Sequence, residues 1–165
     1  MQNQILSHLE IQQKITRLAH QIHENCFEEK TIYLAGITGN GFELAKKFKL
    51  ILEQISDLEI IAFEILINKE EPWAHPILLE TDEQKMKNGF IILIDDVLNS
   101  GKTMQYALNR LLQSPTKAIK TVALVDRTHR RYPIKADFVG IGLSTTLKER
   151  VQVDLNESQS KAFLL

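Results

Sequence analysis

Residues 91–104, which read IILIDDVLNSGKTM, decide the fold. Four apolar residues run without interruption into two acids, Asp95 and Asp96, and a short turn then leads into a Ser-Gly-Lys-Thr segment. A continuous apolar run is typical of a strand buried on both faces of a parallel sheet, so we place the strand of residues 90–97 at the centre of a sheet. Apolar residues recur at helical spacing after the turn, so the stretch predicts a strand, a turn and a helix in succession.

The chain on either side continues this alternation of strands and helices. Residues 31–37, TIYLAGI, are a β-branched run that ends in a Gly-rich turn and passes into an amphipathic helix. An earlier helix carries an apolar stripe formed by Ile11, Ile15, Leu18 and Ile22. Further strands are predicted at residues 59–67, 120–126, 138–143 and 150–155. The last of these alternates apolar and polar residues, which indicates a half-exposed edge strand. The whole pattern predicts an α/β fold, with an open, mainly parallel sheet flanked by helices.

Length and composition indicate one ordinary globular domain, residues 1–165. Lys and Arg number 20 against 21 Asp and Glu, so the net charge of −1 excludes a globally basic nucleic-acid binder but permits a local basic patch. A single cysteine, Cys26, excludes an intramolecular disulfide framework and a multi-cysteine zinc site. No signal peptide and no apolar run of the ~18 residues that a membrane span needs is evident, so we expect a cytoplasmic protein without a membrane partner. No metal site made of protein ligands is expected.

The Gly-Lys-Thr at residues 101–103 resembles the end of a nucleotide-binding P-loop, but the rest of that motif is missing. A P-loop requires a glycine five positions earlier, where this chain has Asp96, whose charge would oppose a phosphate. The start of the following helix offers free backbone N–H groups and the hydroxyls of Ser100 and Thr103, which suit a phosphate monoester. The preceding acids can accept hydrogen bonds from vicinal hydroxyls, so the segment predicts a sugar 5-phosphate site. The alternative is a solvated turn followed by an ordinary helix cap.

Three loops follow predicted strands, at residues 37–41, 95–103 and 126–131. Ligands of open α/β sheets bind at the carboxyl ends of the strands, so we expect these loops to converge on one crevice. Residues 68–80, NKEEPWAHPILLE, read as a long loop or excursion, and its part around residues 72–76 is a candidate lid.

Residues 91–104 resemble the phosphoribosyl diphosphate (PRPP) signature of type I phosphoribosyltransferases, with Ser100 where that family usually has Thr. Residues 16–20, TRLAH, and 124–140, LVDRTHRRYPIKADFVG, are similar to segments of the PyrR-type members. Those members are pyrimidine-operon attenuation regulators that also act as uracil phosphoribosyltransferases. The similarity runs from about residue 9 to residue 155. It implies the type I phosphoribosyltransferase fold with a small hood, and a homodimer or higher homo-oligomer.

The resemblance also implies roles for individual residues. The catalytic candidates Asp95 and Asp96 would hold the ribose hydroxyls of PRPP. The 5-phosphate would contact Asn99, Ser100, Gly101, Lys102 and Thr103. The pyrophosphate would meet the loop formed by Thr38, Gly39, Asn40 and Gly41. The hood near Val125, Asp126 and Arg127 would frame the base. Magnesium would be chelated mainly by the pyrophosphate and the sugar hydroxyls.

Two positions depart from the family's pattern. The pyrophosphate loop of the subgroup usually reads roughly G-I-K-T-R-G, whereas residues 36–41 read GITGNG and lack both basic side chains. A hydrogen bond to a charged group contributes about 1.5–3 kcal/mol, so this loss bears on catalysis more than on sugar-phosphate binding, unless backbone donors, magnesium, Lys46 or Lys47 compensate. Asn99 occupies a position where purine-specific members commonly have an aspartate general base, which disfavours a purine mechanism of that kind. The resemblance to the PyrR-type members implies uracil as the base.

A local basic cluster raises a second function. Its residues are Arg127, His129, Arg130, Arg131 and Lys135. The residues Thr16, Arg17 and His20 match the other basic face that PyrR-type regulators use on mRNA. The cluster therefore indicates either RNA binding or a solvated loop whose arginines serve the substrate or a subunit interface. Two hypotheses remain open: a uracil phosphoribosyltransferase that converts PRPP and uracil to UMP, and a catalytically weak, nucleotide-sensing regulator that binds RNA.

Overall fold

The computed structural model describes residues 2–165, which form four helices and nine strands. The helices are α1 (His8–Cys26), α2 (Asn40–Ile55), α3 (Glu83–Met86) and α4 (Lys102–Leu111). The strands are β1 (Asn3–Leu6), β2 (Thr31–Ile37), β3 (Glu59–Leu66), β4 (Leu78–Leu79), β5 (Gly89–Leu98), β6 (Thr116–Asp126), β7 (Phe138–Gly142), β8 (Val151–Asp154) and β9 (Lys161–Leu164). No helix in this described part of the chain is both long and apolar enough to cross a membrane.

The main sheet has six strands in the order β4-β3-β2-β5-β6-β7. Its strands are parallel except for the short β4, which pairs antiparallel with β3. Strand β5 lies in the interior of the sheet, and its residues 91–94 are completely buried. Ile92 and Ile94 pack with α1 and α2 on one face, while Ile91 and Leu93 pack with α4 on the other. The predicted α/β class and the central position of this strand are therefore confirmed.

A second, three-stranded antiparallel sheet forms from the two ends of the chain, in the order β1-β9-β8. We call this sheet the hood. Strands β1 and β9 are absent from the strands that the sequence predicts, and the framing of the base by a hood near residues 125–127 stays a prediction. The alternating strand of residues 150–155 is an edge strand, but of the hood and not of the parallel sheet.

Helix α2 lies close to the sheet because a glycine permits it. A Cβ atom on Gly41 would lie 2.7 Å from the Ile94 carbonyl oxygen and 3.3 Å from the Asp95 Cα. The first turn of α2 therefore passes directly beside the end of the central strand. This contact places the Gly-rich turn after β2 next to the two acids.

The excursion between β3 and β5 is more ordered than a long loop. It contains β4 and the one-turn helix α3. Arg110 of α4 holds it, donating to the Ile77 carbonyl at 2.8 Å and to both carboxylate oxygens of Glu83 at 2.9 and 3.0 Å. Trp73, at its tip, is largely exposed.

Candidate active site

The two acids stand where β5 reaches the carboxyl end of the sheet. Asp95 is buried, with 5% of its surface exposed, and its Oδ1 accepts a hydrogen bond from the Asp96 backbone N–H at 2.9 Å. Burial raises the pKa of the Asp95 carboxyl well above its usual value, and the charge of neighbouring Asp96 raises it further. The ammonium of Lys69, 3.7 Å from Asp95 Oδ1, acts in the opposite direction.

A cradle for a phosphate lies between β5 and α4. Gly101 adopts a φ of 88°, and a Cβ atom there would lie 2.7 Å from Ile134 Cγ2, so only glycine fits this turn. The Ser100 hydroxyl accepts from the Lys102 backbone N–H at 3.2 Å and shapes the entry to the helix. The first-turn N–H groups of α4 have no partner within the helix, and Lys102, Thr103 and Met104 of this turn border the cleft described next.

All seven residues predicted to bind PRPP border one open cleft of about 360 Å³. They are Asp95, Asp96, Asn99, Ser100, Gly101, Lys102 and Thr103. The cleft is completed by Lys69, Val97, Leu98, Met104 and Val151. The acid pair and the phosphate cradle therefore share a cavity of the size of a small ligand, and the roles assigned to their residues stay predictions.

Lys102 is the one residue of this set whose charged group points elsewhere. Its ammonium donates to the Glu70 carbonyl oxygen at 3.0 Å and lies 5.6 Å from the centre of the Trp73 ring. Lys102 thus fastens the excursion to the start of α4.

The predicted pyrophosphate loop is shorter than expected, because Asn40 and Gly41 already belong to α2. The Thr38 hydroxyl donates to Glu64 Oε1 at 2.9 Å. The Asn40 amide donates to Asp96 Oδ2 at 3.0 Å and to the Val153 carbonyl at 2.7 Å, so this side chain joins the acid pair to the hood.

The compensation of the missing charges by Lys46 or Lys47 stays a prediction, and neither side chain lies at the cleft that holds the acid pair. Lys46 forms an exposed ion pair with Glu43 at 2.8 Å. Neither lysine is among the residues that border the cleft.

The residues predicted to frame the base lie at the end of β6. Val125 is completely buried, and its backbone pairs with β5 and β7. Asp126 accepts from Arg130 Nη2 at 2.6 Å and from the Thr128 backbone N–H at 2.8 Å.

Arg127 is 8% exposed, and its guanidinium is committed to other parts of the protein. It donates to Asn99 Oδ1 and Thr145 Oγ1, each at 3.0 Å, and to the carbonyls of Thr146 and Glu149. These four hydrogen bonds join the phosphate turn to the segment that enters the hood. We call this arrangement the Arg127 clamp. Its role as a base contact stays a prediction.

The two groups of predicted RNA-binding residues differ in how free their side chains are. On α1, Thr16, Arg17 and His20 are all exposed, and Arg17 also donates to the carbonyls of Val139 and Gly140 in the outer strand β7 at 3.2 and 2.7 Å.

In the loop after β6, His129 and Arg130 face the protein. The His129 Nε2 atom lies 2.6 Å from the Thr145 carbonyl oxygen, and Arg130 Nη1 donates to the Asn99 carbonyl at 3.0 Å. Arg131 and Lys135 are exposed. Arg130 thus serves the candidate site, and Arg131 and Lys135 are the cations of this loop that reach solvent.

Sequence spacing gives no indication of Lys69, which lies 26 positions before Asp95. The order of the strands is the signal that could have placed Lys69 at the site. β3 pairs with β2 in parallel, so residues that follow β3 must lie near the turn that follows β2.

The donor chemistry of the site suits a magnesium ion carried by the substrate. Mg²⁺ usually takes one or two carboxylates together with substrate phosphates rather than a full set of protein ligands. Asp95 and Asp96 supply such carboxylates. Within residues 2–165, no three His, Cys, Asp or Glu side chains come together as a metal site.

Comparison with known proteins agrees with this geometry. The phosphoribosyl transferase domain model matches residues 1–157. The chain is 34% identical over 160 residues to the "Bifunctional protein PyrR" of Herpetosiphon aurantiacus, covering 93% of this chain and 90% of that protein. The protein of the same name from Haemophilus ducreyi is also 34% identical, over 93% of this chain and 89% of its own length.

Among solved structures, the hypoxanthine phosphoribosyltransferase of Trypanosoma cruzi superposes with a TM-score of 0.77 at 16% identity, over 97% of this chain and 95% of its own. A hypoxanthine-guanine phosphoribosyltransferase from Bacillus anthracis gives 0.70 at 20% identity, over 86% and 82%. These two likenesses concern the fold. The match of the domain model over residues 1–157 shows that the chain belongs to the phosphoribosyl transferase domain family.

Proposed function

We propose that this phosphoribosyltransferase transfers the phosphoribosyl group of PRPP to uracil, giving UMP and pyrophosphate. The observation that carries the proposal is the single cleft in which the acid pair and the phosphate cradle face each other. A sugar 5-phosphate presents vicinal hydroxyls and a phosphate at opposite ends, which matches these two groups of residues. The similarity to proteins named PyrR supports a pyrimidine base.

Asn99 adds a further argument against a purine mechanism that uses a general base at this position. An amide takes up no proton at neutral pH, and the Asn99 Oδ1 atom already accepts a hydrogen bond from Arg127 at 3.0 Å. The side chain of Asn99 is therefore a part of the scaffold, and base specificity falls to the hood and to the end of β6.

The chain's own residues supply position and electrostatics for the reaction. The free N–H groups of α4 and the hydroxyls of Ser100 and Thr103 hold the 5-phosphate. Asp96, partly exposed, accepts from the ribose hydroxyls and fixes the ring. The C1–oxygen bond to pyrophosphate then breaks as the bond from C1 to uracil N1 forms, through an oxocarbenium-like centre that nearby carboxylate charge stabilises. The proton on N1 is lost to the departing pyrophosphate or to solvent. Asp95 and Asp96 are the residues that would hold a magnesium ion bound with PRPP, and the ion would supply positive charge that offsets the charge of the pyrophosphate.

A product assay tests the proposal. The protein is incubated with PRPP, magnesium and, separately, uracil, hypoxanthine, guanine, adenine or orotate, and nucleoside monophosphate is measured by chromatography. UMP alone supports the proposal, and another monophosphate replaces uracil with a different base. The Asp95→Asn, Asp96→Asn double variant should lose PRPP binding in calorimetry, whereas Asp57→Asn, an exposed acid before β3, should bind normally. Unchanged affinity in the double variant would refute the site.

A second candidate is a catalytically weak regulator that senses nucleotide through the same cleft and binds RNA. It is favoured by the uncharged turn at residues 38–40 and by the exposed cations Arg131 and Lys135. PRPP or UMP binding without product from any base would support this candidate. Replacing Arg131 and Lys135 by Ala should weaken RNA binding and reduce its dependence on salt. A parent protein that binds no RNA even at low salt would exclude it. We also expect a homodimer or higher homo-oligomer, which light scattering tests.

A further inference from the structure

We infer that Lys69 supplies the cationic contact to the pyrophosphate of PRPP that the turn at residues 38–41 lacks. The inference rests on the proposed function and assigns the pyrophosphate contact to one residue. PRPP places a highly charged pyrophosphate beside two carboxylates, and the turn nearest to them offers no basic side chain. A cation from another part of the chain, close to the acid pair, would supply the charged contact that this turn lacks.

The topology brings Lys69 to the correct place. β2 and β3 pair in register up to Ile37 and Ile65, and the Thr38 backbone N–H continues the pairing to the Ile65 carbonyl at 3.0 Å. The segment that follows β3 consequently runs beside the turn at residues 38–41. From there the Lys69 ammonium reaches to 3.7 Å from Asp95 Oδ1, at the border of the cleft.

The orientation of the substrate points the pyrophosphate toward this side. In a ribose 5-phosphate, C1 lies across the ring from the carbon that bears the 5-phosphate. With the phosphate in the cradle and the hydroxyls on the acid pair, the substituent on C1 is directed away from α4. Asn40, at the turn after β2, lies 3.0 Å from Asp96, and the Lys69 ammonium lies 3.7 Å from Asp95, so both side chains stand at the acid pair.

Lys69 is held in place while its ammonium stays available. The Asn68 carboxamide oxygen accepts from the backbone N–H groups of Glu70 and Glu71, each at 3.0 Å, and Lys102 holds the Glu70 carbonyl at 3.0 Å. These three hydrogen bonds hold the backbone that directly follows Lys69. The 3.7 Å ion pair with Asp95 is longer than a hydrogen bond, and the Lys69 side chain is 41% exposed, so its donors can turn to an incoming oxyanion.

The other lysines considered have different positions or partners. Lys102 borders the cleft, but its ammonium donates to the Glu70 carbonyl and lies over the Trp73 ring. Lys46 pairs with Glu43 outside the cleft. Lys69 is thus the lysine at the border of the cleft whose ammonium lies against the acid pair.

Calorimetry with three ligands tests this role. Lys69→Met, Lys69→Arg and the control Lys46→Met are titrated, with magnesium, against PRPP, inorganic pyrophosphate and ribose 5-phosphate. Lys69→Met should weaken PRPP and pyrophosphate binding by about 10- to 100-fold, the range for a lost charge-assisted hydrogen bond. Ribose 5-phosphate should bind all variants within about twofold, because it contacts only the cradle and the acids. Lys69→Arg should restore most of the affinity, and Lys46→Met should behave as wild type.

Four calorimetric results would overturn the role of Lys69. An equal loss for all three ligands in Lys69→Met would show that Lys69 supports the acid pair or the 5-phosphate, and would overturn the inference. Unchanged PRPP affinity would do the same while leaving the proposed function intact. A wild-type protein that binds ribose 5-phosphate and PRPP equally would show that no residue contacts the pyrophosphate. A wild-type protein that binds neither would refute the proposed function, and this inference with it.

Discussion

Removing the Arg127 clamp should destabilise the protein and loosen the hood, even though Arg127 lies outside both large apolar clusters. The guanidinium is nearly buried and makes four hydrogen bonds, two to side chains and two to backbone carbonyls. Arg127→Met keeps most of the apolar stem but leaves four acceptors without their donor. Since the guanidinium joins Asn99 to residues 145–149, its loss also separates the phosphate turn from the segment that leads into β8.

The magnitude follows from the number of acceptors. An intramolecular hydrogen bond contributes about 1 kcal/mol net to stability, and a buried acceptor left without a hydrogen-bond partner costs about 1–3 kcal/mol. Water can reach some of the four, so we expect a loss of about 2–4 kcal/mol of unfolding free energy. A protein of this length shifts its Tm by about 2–4 °C per kcal/mol, which gives a decrease of roughly 5–15 °C. Arg127→Lys should recover only part of the lost unfolding free energy, because a single ammonium cannot reach all four acceptors that the planar guanidinium contacts.

Calorimetric melting measures the loss, and hydrogen exchange shows where it occurs. Backbone amides of residues 143–150 should lose protection in Arg127→Met, while those of β5 keep theirs. Ribose 5-phosphate binding should weaken only modestly, and base-dependent turnover should decrease strongly as the hood loosens. A variant that melts within 2 °C of wild type and yet loses base binding would refute the clamp, and would indicate a direct contact between Arg127 and the base.

Two further predictions concern the cradle and the acid pair. Gly101→Ala should destabilise the protein by about 2–4 kcal/mol and abolish 5-phosphate binding, because it combines left-handed strain with a 2.7 Å contact to Ile134. Gly39→Ala, at a φ of 83° with open space around it, should cost only the ~1–2 kcal/mol of strain, and equal melting temperatures for the two variants would contradict the steric argument. Asp95→Asn should stabilise the protein at neutral pH. The pKa of this buried carboxyl is raised in the folded state. The stability that protonated Asp95 contributes to the wild-type protein is therefore fully present below the ordinary pKa of 3.8, and it is lost as pH rises through the raised pKa. Urea unfolding from pH 3 to pH 8 should show the advantage of the variant growing with pH, and a constant difference would contradict it.

The sequence identifies the centre of the fold because the strongest signals are local. Residues 91–94 are apolar without interruption, and burial on both faces of β5 explains why. The stripe of α1 is likewise contiguous in the chain. In contrast, β1 and β9 have four residues each, and their pairing joins Asn3 to Leu164. Strands this short carry too little periodicity to be recognised, and a pairing between chain ends leaves no local pattern.

The parts of the site also divide into those formed by one contiguous segment and those formed by contacts between distant segments. The cradle and the acids lie within residues 95–103, so their relation could be predicted from one segment. The contacts of Asn40 with the Val153 carbonyl, of Arg127 with residues 145–149 and of Lys69 with Asp95 join distant segments. Their partners are fixed by strand order and by the course of the hood, which single-sequence reasoning does not provide.

The uncharged turn acquires a physical explanation from these contacts. Asn40 donates to Asp96 and to the hood at once, a bridge that needs a short amide with two N–H donors. The chain thus couples its acid pair to the hood through a neutral group. A cation for the pyrophosphate must then come from outside the turn, and β3, the strand beside β2, is the neighbour that delivers one.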